Sequence, residues 1–279
     1  MGKHSHIEWT DHTFNPWWGC SKVSPACQHC YAETITVRFG GATWGARGQR
    51  RFFGPEHWRE PIKWNLEAER QSRRFRVFCA SMADVYEDRA DLLSERQKLW
   101  KIIELTPSLD WLLLTKRPEN AERLSPWGKH WPANVWLGTS VENQEWAEKR
   151  IPVISAIPAK IRFLSCEPLL GPLNLSNLIR GTAISWIITG GESGNGARPM
   201  KPDWVRDLRD YCSKMGIAFH FKQWGHWAPT SKSTAGRGVQ FAINNDTFEM
   251  AGLGKGLSGR TIDGRTHDEF PVEYPLRAI

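Results

Sequence analysis

The sequence predicts an α/β protein built as a partial or complete (β/α) barrel. Three observations carry that expectation: short apolar runs recur along the chain, helical patterns separate them, and each run ends in polar residues. The runs are Arg76 to Ser81, Trp111 to Thr115, Val135 to Gly138, Ile161 to Ser165, Ile184 to Thr189 and Ala218 to Phe221. Between them, Leu92, Leu93, Leu99, Trp100 and Ile103 fall at helical spacing, with Pro107 as the stop. A second helix starts near Pro202 and Asp203, carries Trp204, Leu208, Tyr211 and Met215 on one face, and ends at Gly216. A length of 279 residues suits one such barrel. The expected division is a barrel with an N-terminal cysteine loop over 1–226, and an irregular extension packed on it over 227–279. That tail is rich in Gly, Ser, Thr and Asn and repeats GRTID as GRTHD over Gly259 to Asp268.

No stretch reaches the roughly 18 to 20 apolar residues of a membrane span, and the start lacks the apolar segment of a signal peptide. A cytoplasmic protein with no membrane partner is expected. Six cysteines are too few for a disulfide scaffold at this length and are expected as thiols. Cys79, Cys166 and Cys212 lie singly in apolar runs and read as core.

The other three fall within eleven residues as C-x6-C-x2-C: Cys20, Cys27 and Cys30, with Gly19 and Pro25 allowing the loop to fold back. Three thiolates bind three irons of a cubane and leave the fourth open to an exogenous ligand, whereas ordinary [4Fe-4S] sites use four cysteines. The alternative is a structural zinc site completed by His29, His12 or Asp11. There is no second C-x2-C to supply the usual second ligand pair, which favours the cluster.

In a barrel of parallel strands the chemistry sits where strands end. Here those ends carry Ser81 and Asp84, Lys116 and Arg117, Ser140 and Glu142, Glu167, Glu192, and Lys222 with Gln223, which together suggest one shared pocket.

The segments Ile7 to Asp11, Asn15-Pro16, Trp18 to Cys20 and His29 to Glu33 resemble the phage-associated, three-cysteine-motif, radical-SAM-like family of uncharacterised proteins. The similarity continues through Thr115 to Pro118, Ser140 to Glu142, Cys166 to Leu169, Gly190 to Gly194, Lys222 to Gly225 and Gly264 to Thr266. The resemblance implies a barrel of the radical-SAM type, with a [4Fe-4S] cluster on the three cysteines and S-adenosylmethionine on the open iron. It also implies a reductant such as a flavodoxin or ferredoxin. Electron transfer in such enzymes cleaves a carbon–sulfur bond of the cofactor to give a 5′-deoxyadenosyl radical.

Two departures accompany it. Most radical-SAM enzymes space their cysteines C-x3-C-x2-C, and they often place a Gly-Gly-Glu after the second strand. Here Gly190, Gly191 and Glu192 follow the sixth. By position, Ser81 and Asp84 follow the second strand, where Asp84 is expected to accept from the cofactor's ammonium. Ser140 and Glu142 follow the fourth and are expected to hold its ribose. Gly190 and Gly191 are cofactor-binding candidates, with a tight turn as the structural alternative. Glu167, Glu192, Lys116 and Arg117 are the catalytic candidates, the last two suited to a phosphate or carboxylate.

Residues 38–76 hold ten Lys or Arg against four Glu, nearly all of the net charge of +7. Arg47, Arg50 and Arg51, with Arg73 and Arg74, alternate there with Trp44, Phe52, Phe53 and Trp58, a pattern suited to single-stranded or distorted nucleic acid. The leading expectation is therefore a radical-SAM-like enzyme modifying or repairing a nucleic acid or nucleotide-like substrate. The alternatives are a non-catalytic iron–sulfur or zinc nucleic-acid-binding module and an enzyme modifying a peptide or partner protein.

Overall fold

The computed structural model describes residues 5, 7–230, 238–243 and 246–271. Seven parallel strands lie in sequence order: β1 (His12–Thr13), β2 (Phe75–Cys79), β3 (Leu109–Thr115), β4 (Val135–Ser140), β5 (Ile161–Cys166), β6 (Ile184–Gly190) and β7 (Ala218–Gln223). Helices α1 (Tyr31–Arg38), α2 (Pro55–Arg70), α3 (Leu93–Leu105), α4 (Ala121–Leu124), α5 (Gln144–Ala156), α6 (Ser176–Ile179) and α7 (Pro202–Met215) fill the crossovers. All six expected strands form. The strand counts placed on Ser81 and Ser140 require one strand ahead of the cysteines, and β1 is that strand, too short to register as an apolar run.

The period-two alternation of each strand sorts the apolar side chains into two cores. Val77, Trp111, Leu113, Leu137 and Leu164 join the larger core, which also takes in Leu99, Ile103, Val205 and Leu208 from α3 and α7. Trp9, Phe78, Leu112, Trp136, Phe163, Trp186 and Ile188 form a second cluster on the opposite face. Trp9 stands just before β1, yet its ring lies 4.6 Å from Phe78 on β2 and 6.1 Å from Trp186 on β6. Such contacts across five strands require the sheet to curl round this aromatic plug. The result is a half-barrel, since β1 and β7 are not paired to each other.

Over 227–279 the sequence predicts irregular structure, and the described residues correct this in part. A three-stranded antiparallel sheet forms from β8 (Trp227–Pro229), β9 (Gly238–Ile243) and β10 (Asp246–Gly252), followed by α8 (Lys255–Ser258). The end of the described chain then runs along the free edge of β7. Phe221 N–H donates to the His267 carbonyl at 2.9 Å, and His220 bridges antiparallel to Asp268. Phe270 closes the lower end, with its ring 5.1 Å from Trp186 and the Arg76 guanidinium 3.7 Å above its centre. In the GRTID repeat, Arg260 pairs with Asp268, while Asp263 pairs with Arg206 and Arg209 of α7. Among the described residues no helix is long and apolar enough to cross a membrane.

Gly138 on β4 shows how full the plug is, because a Cβ there would meet the Phe163 ring at 2.2 Å. Gly138→Ala is expected to lower the unfolding free energy by about 1–3 kcal/mol through overpacking, measured by urea denaturation. An unchanged midpoint would mean that the interior has slack.

Candidate active site

The alternation that buries the aromatic plug continues past it toward the strand C-termini, where the inward positions turn polar. Leu114 is followed at the same parity by Lys116, Gly138 by Ser140, Phe163 by Ser165 and Glu167, and His220 by Lys222. These side chains, with Ala80, Ser81, Asp84, Gly191, Glu192, Ser193 and Gln223, line a cavity of about 450 Å³. Cys20, Cys27 and Cys30 line the same cavity from above. The shared pocket expected from the polar strand ends is therefore present.

Several of its expected members do something else. Glu142 is fully buried and is not part of the lining. One of its oxygens takes Arg150 Nη1 at 2.9 Å, and the other accepts the Ala26 N–H at 3.3 Å. It holds the cysteine loop, which corrects the ribose role. Asp84 accepts from Thr115 Oγ1 (2.7 Å), Tyr86 N–H (3.0 Å), Lys116 N–H (3.0 Å) and Arg117 Nη1 (2.9 Å). Those four donors fill the acceptor sites of a carboxylate, so an incoming ammonium finds none free, and the expected cofactor role is corrected.

Arg117 in turn donates to the Ser21 carbonyl at 2.8 Å and approaches Cys20 Sγ at 3.5 Å. It braces the loop rather than reaching into open space. Burial acts against its charge, but Asp84 and Cys20 outweigh it and raise its pKa.

Glu192 binds Arg198 through the side chain and the backbone N–H, and His29 Nδ1 lies 3.1 Å from it. Burial works to raise its pKa, but these hydrogen bonds and the Arg198 charge hold it below the ordinary value. Arg198 also donates to the Pro25 carbonyl at 3.0 Å. The late Gly-Gly-Glu is thus a clamp on the cysteine loop. Gly191 is needed sterically, because a Cβ there would meet the Trp224 carbonyl at 1.9 Å, whereas one on Gly190 would meet only the movable end of the Glu167 side chain. Gly190 is outside the cavity lining and fits the structural alternative, while Gly191 lines the cavity.

Lys116 and Ser140 remain as expected, facing the cavity, with Lys116 Nζ 3.1 Å from Ser140 Oγ. Among the described residues Lys116 has no ion-pair partner. Glu167 and Lys222 face each other across the cavity at 3.4 Å. Ser81 lines it too, and its carbonyl accepts from the Tyr31 hydroxyl at 2.9 Å.

Burial pushes the Cys20 thiol up to about 12, helped by Asp84 and opposed by Arg117. It also raises Cys30, against backbone N–H donors at the start of α1 and the charge of Lys116. Cys79, Cys166 and Cys212 are buried in the larger core, as expected. Of the residues offered to complete a zinc site, Asp11 pairs with Arg73 and Arg76, and His12 stacks on Trp64 at 4.4 Å. Neither lines the cavity, whereas His29 does. Among the described residues no three His, Cys, Asp or Glu side chains gather closely enough to hold a single metal ion.

The basic segment is also corrected in part. Arg50 is buried, with Nε and Nη2 on the two oxygens of Glu87 at 3.0 and 2.8 Å. Its Nη1 donates to the carbonyls of Thr43 and Gly48, and Glu87 accepts from Ser21 Oγ at 2.7 Å. Arg50 is a structural brace and cannot face a nucleic acid. Arg73 and Arg74 are paired with Asp11 and Asp110. Arg47 and Arg51 are exposed, Arg51 lying 5.0 Å over the Trp18 ring, and Phe52 is exposed beside it. Sequence reasoning missed Glu87, Arg150 and Arg198, which carry no local motif. It also left Ser165 out of the site, although counting by twos from Phe163 finds it, whereas Lys222 lines the cavity as its strand end suggested.

The sequence matches, over residues 4–271, the family described as protein of unknown function (DUF5131). The chain belongs to that family. No curated protein matches it. Two solved structures of spore photoproduct lyase mutants are similar to it, one of them with a dinucleoside spore photoproduct. Each is 12% identical with a TM-score of 0.45 over 84% of this chain, which spans 66%, just under two thirds, of the other chain's length.

Arg50→Ala leaves the Glu87 carboxylate buried without its partner and is expected to cost about 3–5 kcal/mol of stability, against less than about 0.5 kcal/mol for exposed Arg47→Ala. Urea unfolding of the two variants checks this. Equal, small costs would show that the Arg50 brace holds nothing.

Proposed function

We propose that this DUF5131 protein is an iron–sulfur enzyme of the radical-SAM type, of the phage-associated three-cysteine kind, acting on a nucleic acid or nucleotide-like substrate. The observation that carries the reading is the placement of three thiols over one cavity with polar strand ends in its lining, at the C-terminal ends of parallel strands. Each thiol of a cubane binds a different iron, so its ligands stand further apart than those of one tetrahedral ion. The chemistry of the donors fits: Cys20, Cys27 and Cys30 would hold a [4Fe-4S] cluster, and Lys116 with Ser140 would hold the carboxylate of S-adenosylmethionine. The bound pair would supply one-electron cleavage of a carbon–sulfur bond.

This chain's own residues then do three things. The carboxylate–arginine pairs fix the cysteine loop, Lys116 orients an anionic group, and Glu167 with Lys222 presents an acceptor and a donor to the substrate. Arg47, Arg51 and Phe52, with Trp44 at the cavity, supply cations and ring faces for a nucleic acid.

Anaerobically prepared protein is expected to carry about four irons per chain and to lose most of them in Cys20→Ala, Cys27→Ala or Cys30→Ala, but not in Cys79→Ala. Stoichiometric zinc without iron overturns the reading. With the cluster reduced, S-adenosylmethionine is expected to change the EPR spectrum and to yield 5′-deoxyadenosine. Lys116→Ala should weaken its binding by about 1.5–3 kcal/mol, the range for a hydrogen bond to a charged group. An unchanged spectrum at saturating cofactor leaves a non-catalytic module.

For the substrate, affinity for single-stranded DNA should fall with salt with a slope of about −0.7 per phosphate contact. The Arg47→Ala/Arg51→Ala double variant should flatten that slope with iron content intact. No binding at low salt, or an unchanged slope, removes the nucleic-acid assignment and favours a peptide or partner protein.

A further inference from the structure

Two charged side chains of the cavity take no part in holding the cysteine loop. Glu167, just past β5, and Lys222, on β7, both line the cavity and face each other at 3.4 Å. That separation lies beyond the roughly 2.7–3.2 Å of an ordinary N–H···O bond. Among the described residues neither side chain makes another hydrogen bond or ion pair. An ammonium donates through several N–H groups and a carboxylate accepts at several positions, so the pair keeps most of its hydrogen-bonding capacity for whatever enters. The neighbouring Asp84 and Glu192 differ, since each has an arginine and a backbone N–H as partners. Lys222 and Glu167 are only 20% and 15% exposed, so water competes little with a guest there.

Charge and shape select the guest. The pair is net neutral and sets a donor beside an acceptor. It therefore suits a neutral group that carries an acceptor beside a donor, whereas a phosphate calls for an unmatched cation. The Watson–Crick edge of every nucleobase has that form, an N–H next to a carbonyl oxygen or a ring nitrogen. A primary amide has it too, but the rest of the lining favours a flat ring. Trp44 stands half-buried in the cavity wall, with Trp9 and Phe78 of the aromatic plug in the same lining, and bases stack well on aromatic side chains. Lys255 of α8 also lines the cavity, is exposed and has no ion-pair partner among the described residues, which suits a phosphate. In a duplex the Watson–Crick edge is occupied by the partner base, so only an unpaired or extruded base offers it.

Resting on the nucleic-acid reading above, we propose that Glu167 and Lys222 together bind the Watson–Crick edge of a single unpaired nucleobase, with Lys255 on the adjoining phosphate. Glu167 accepts the base's N–H, and Lys222 donates to the neighbouring oxygen or nitrogen. Such a contact selects an unpaired base over a paired one.

Anaerobically prepared full chain is titrated against short DNA oligomers that are abasic except for one central uracil, with binding read by fluorescence anisotropy. Companion probes carry N3-methyluracil, which loses the N–H and sets a methyl group before the carboxylate, or no base at all. The uracil probe is expected to bind about ten-fold or more tightly than either companion, as hydrogen bonds to charged groups imply. Glu167→Gln/Lys222→Met removes both charges at once and strands neither. It should bring the three affinities together, with the fold intact by circular dichroism. Lys255→Ala should weaken all three probes alike and keep the advantage of uracil.

Equal affinity of the parent for the uracil and N3-methyluracil probes overturns the proposal and leaves the nucleic-acid reading standing. That comparison needs no variant, so it decides even where the double variant fails to fold. A full uracil advantage in the folded double variant overturns the assignment to this pair. If ordinary single-stranded DNA is not bound at low salt, the nucleic-acid reading fails and the proposal with it.

Discussion

Four buried carboxylates at the top of the half-barrel, each paired with an arginine, are what the site depends on. Asp84 is paired with Arg117, Glu87 with Arg50, Glu142 with Arg150 and Glu192 with Arg198. A carboxylate or guanidinium taken out of water is costly unless its partner and its remaining hydrogen bonds are all supplied. Some of their hydrogen bonds reach the cysteine loop: the Ser21 carbonyl and hydroxyl, the Ala26 N–H and the Pro25 carbonyl. The rigid sheet thus positions a segment that has little regular structure of its own, only one short turn of 3-10 helix at Pro25–Cys27. Loss of any one pair would strand a charge in the interior and release one of the points at which the loop is tied.

The same network explains which site residues could be read from the sequence. The cysteines stand within eleven residues, and their spacing is a local signal. Lys116 and Ser140 follow apolar runs, so the end of each strand announces them. Asp84, Glu142 and Glu192 are conspicuous in the same way, but a carboxylate at a strand end looks alike in sequence whether it meets a ligand or an arginine. The deciding partners lie far away or in unremarkable surroundings. Arg50 meets Glu87 across 37 positions, and Glu142 reaches Ala26 across 116. Arg50 shows the cost of reading charge by density alone, because the basic stretch that looks like one surface contains a brace turned inward.

The fold was more legible because its signals are short-range. Each strand from β2 to β7 is an apolar run, and α3 and α7 carry helical periodicity with a clear stop, Gly216 adopting the left-handed conformation (φ 67°) that ends α7. What escaped was structure made by pairing rather than by pattern. Strand β1 has two residues and exists because β2 offers it an edge. The three-stranded sheet after Gln223 is built from Gly- and Thr-containing segments whose outward positions are exposed, so their alternation is faint. The curl of the sheet comes from the size of the aromatic residues it must enclose.

The strap that runs beside β7 and ends on Phe270 has a consequence for biosynthesis. A chain emerging from the ribosome completes all seven strands by Gln223, yet Trp186 and His220 still lack the ring that covers them and the backbone partner of Phe221 has not been made. The lower mouth of the half-barrel therefore stays open, with an aromatic interior facing water, until Phe270 has left the exit tunnel. Sealing the interior waits for Phe270, so a product that stops short of it bears an exposed hydrophobic opening by which quality-control factors can distinguish it.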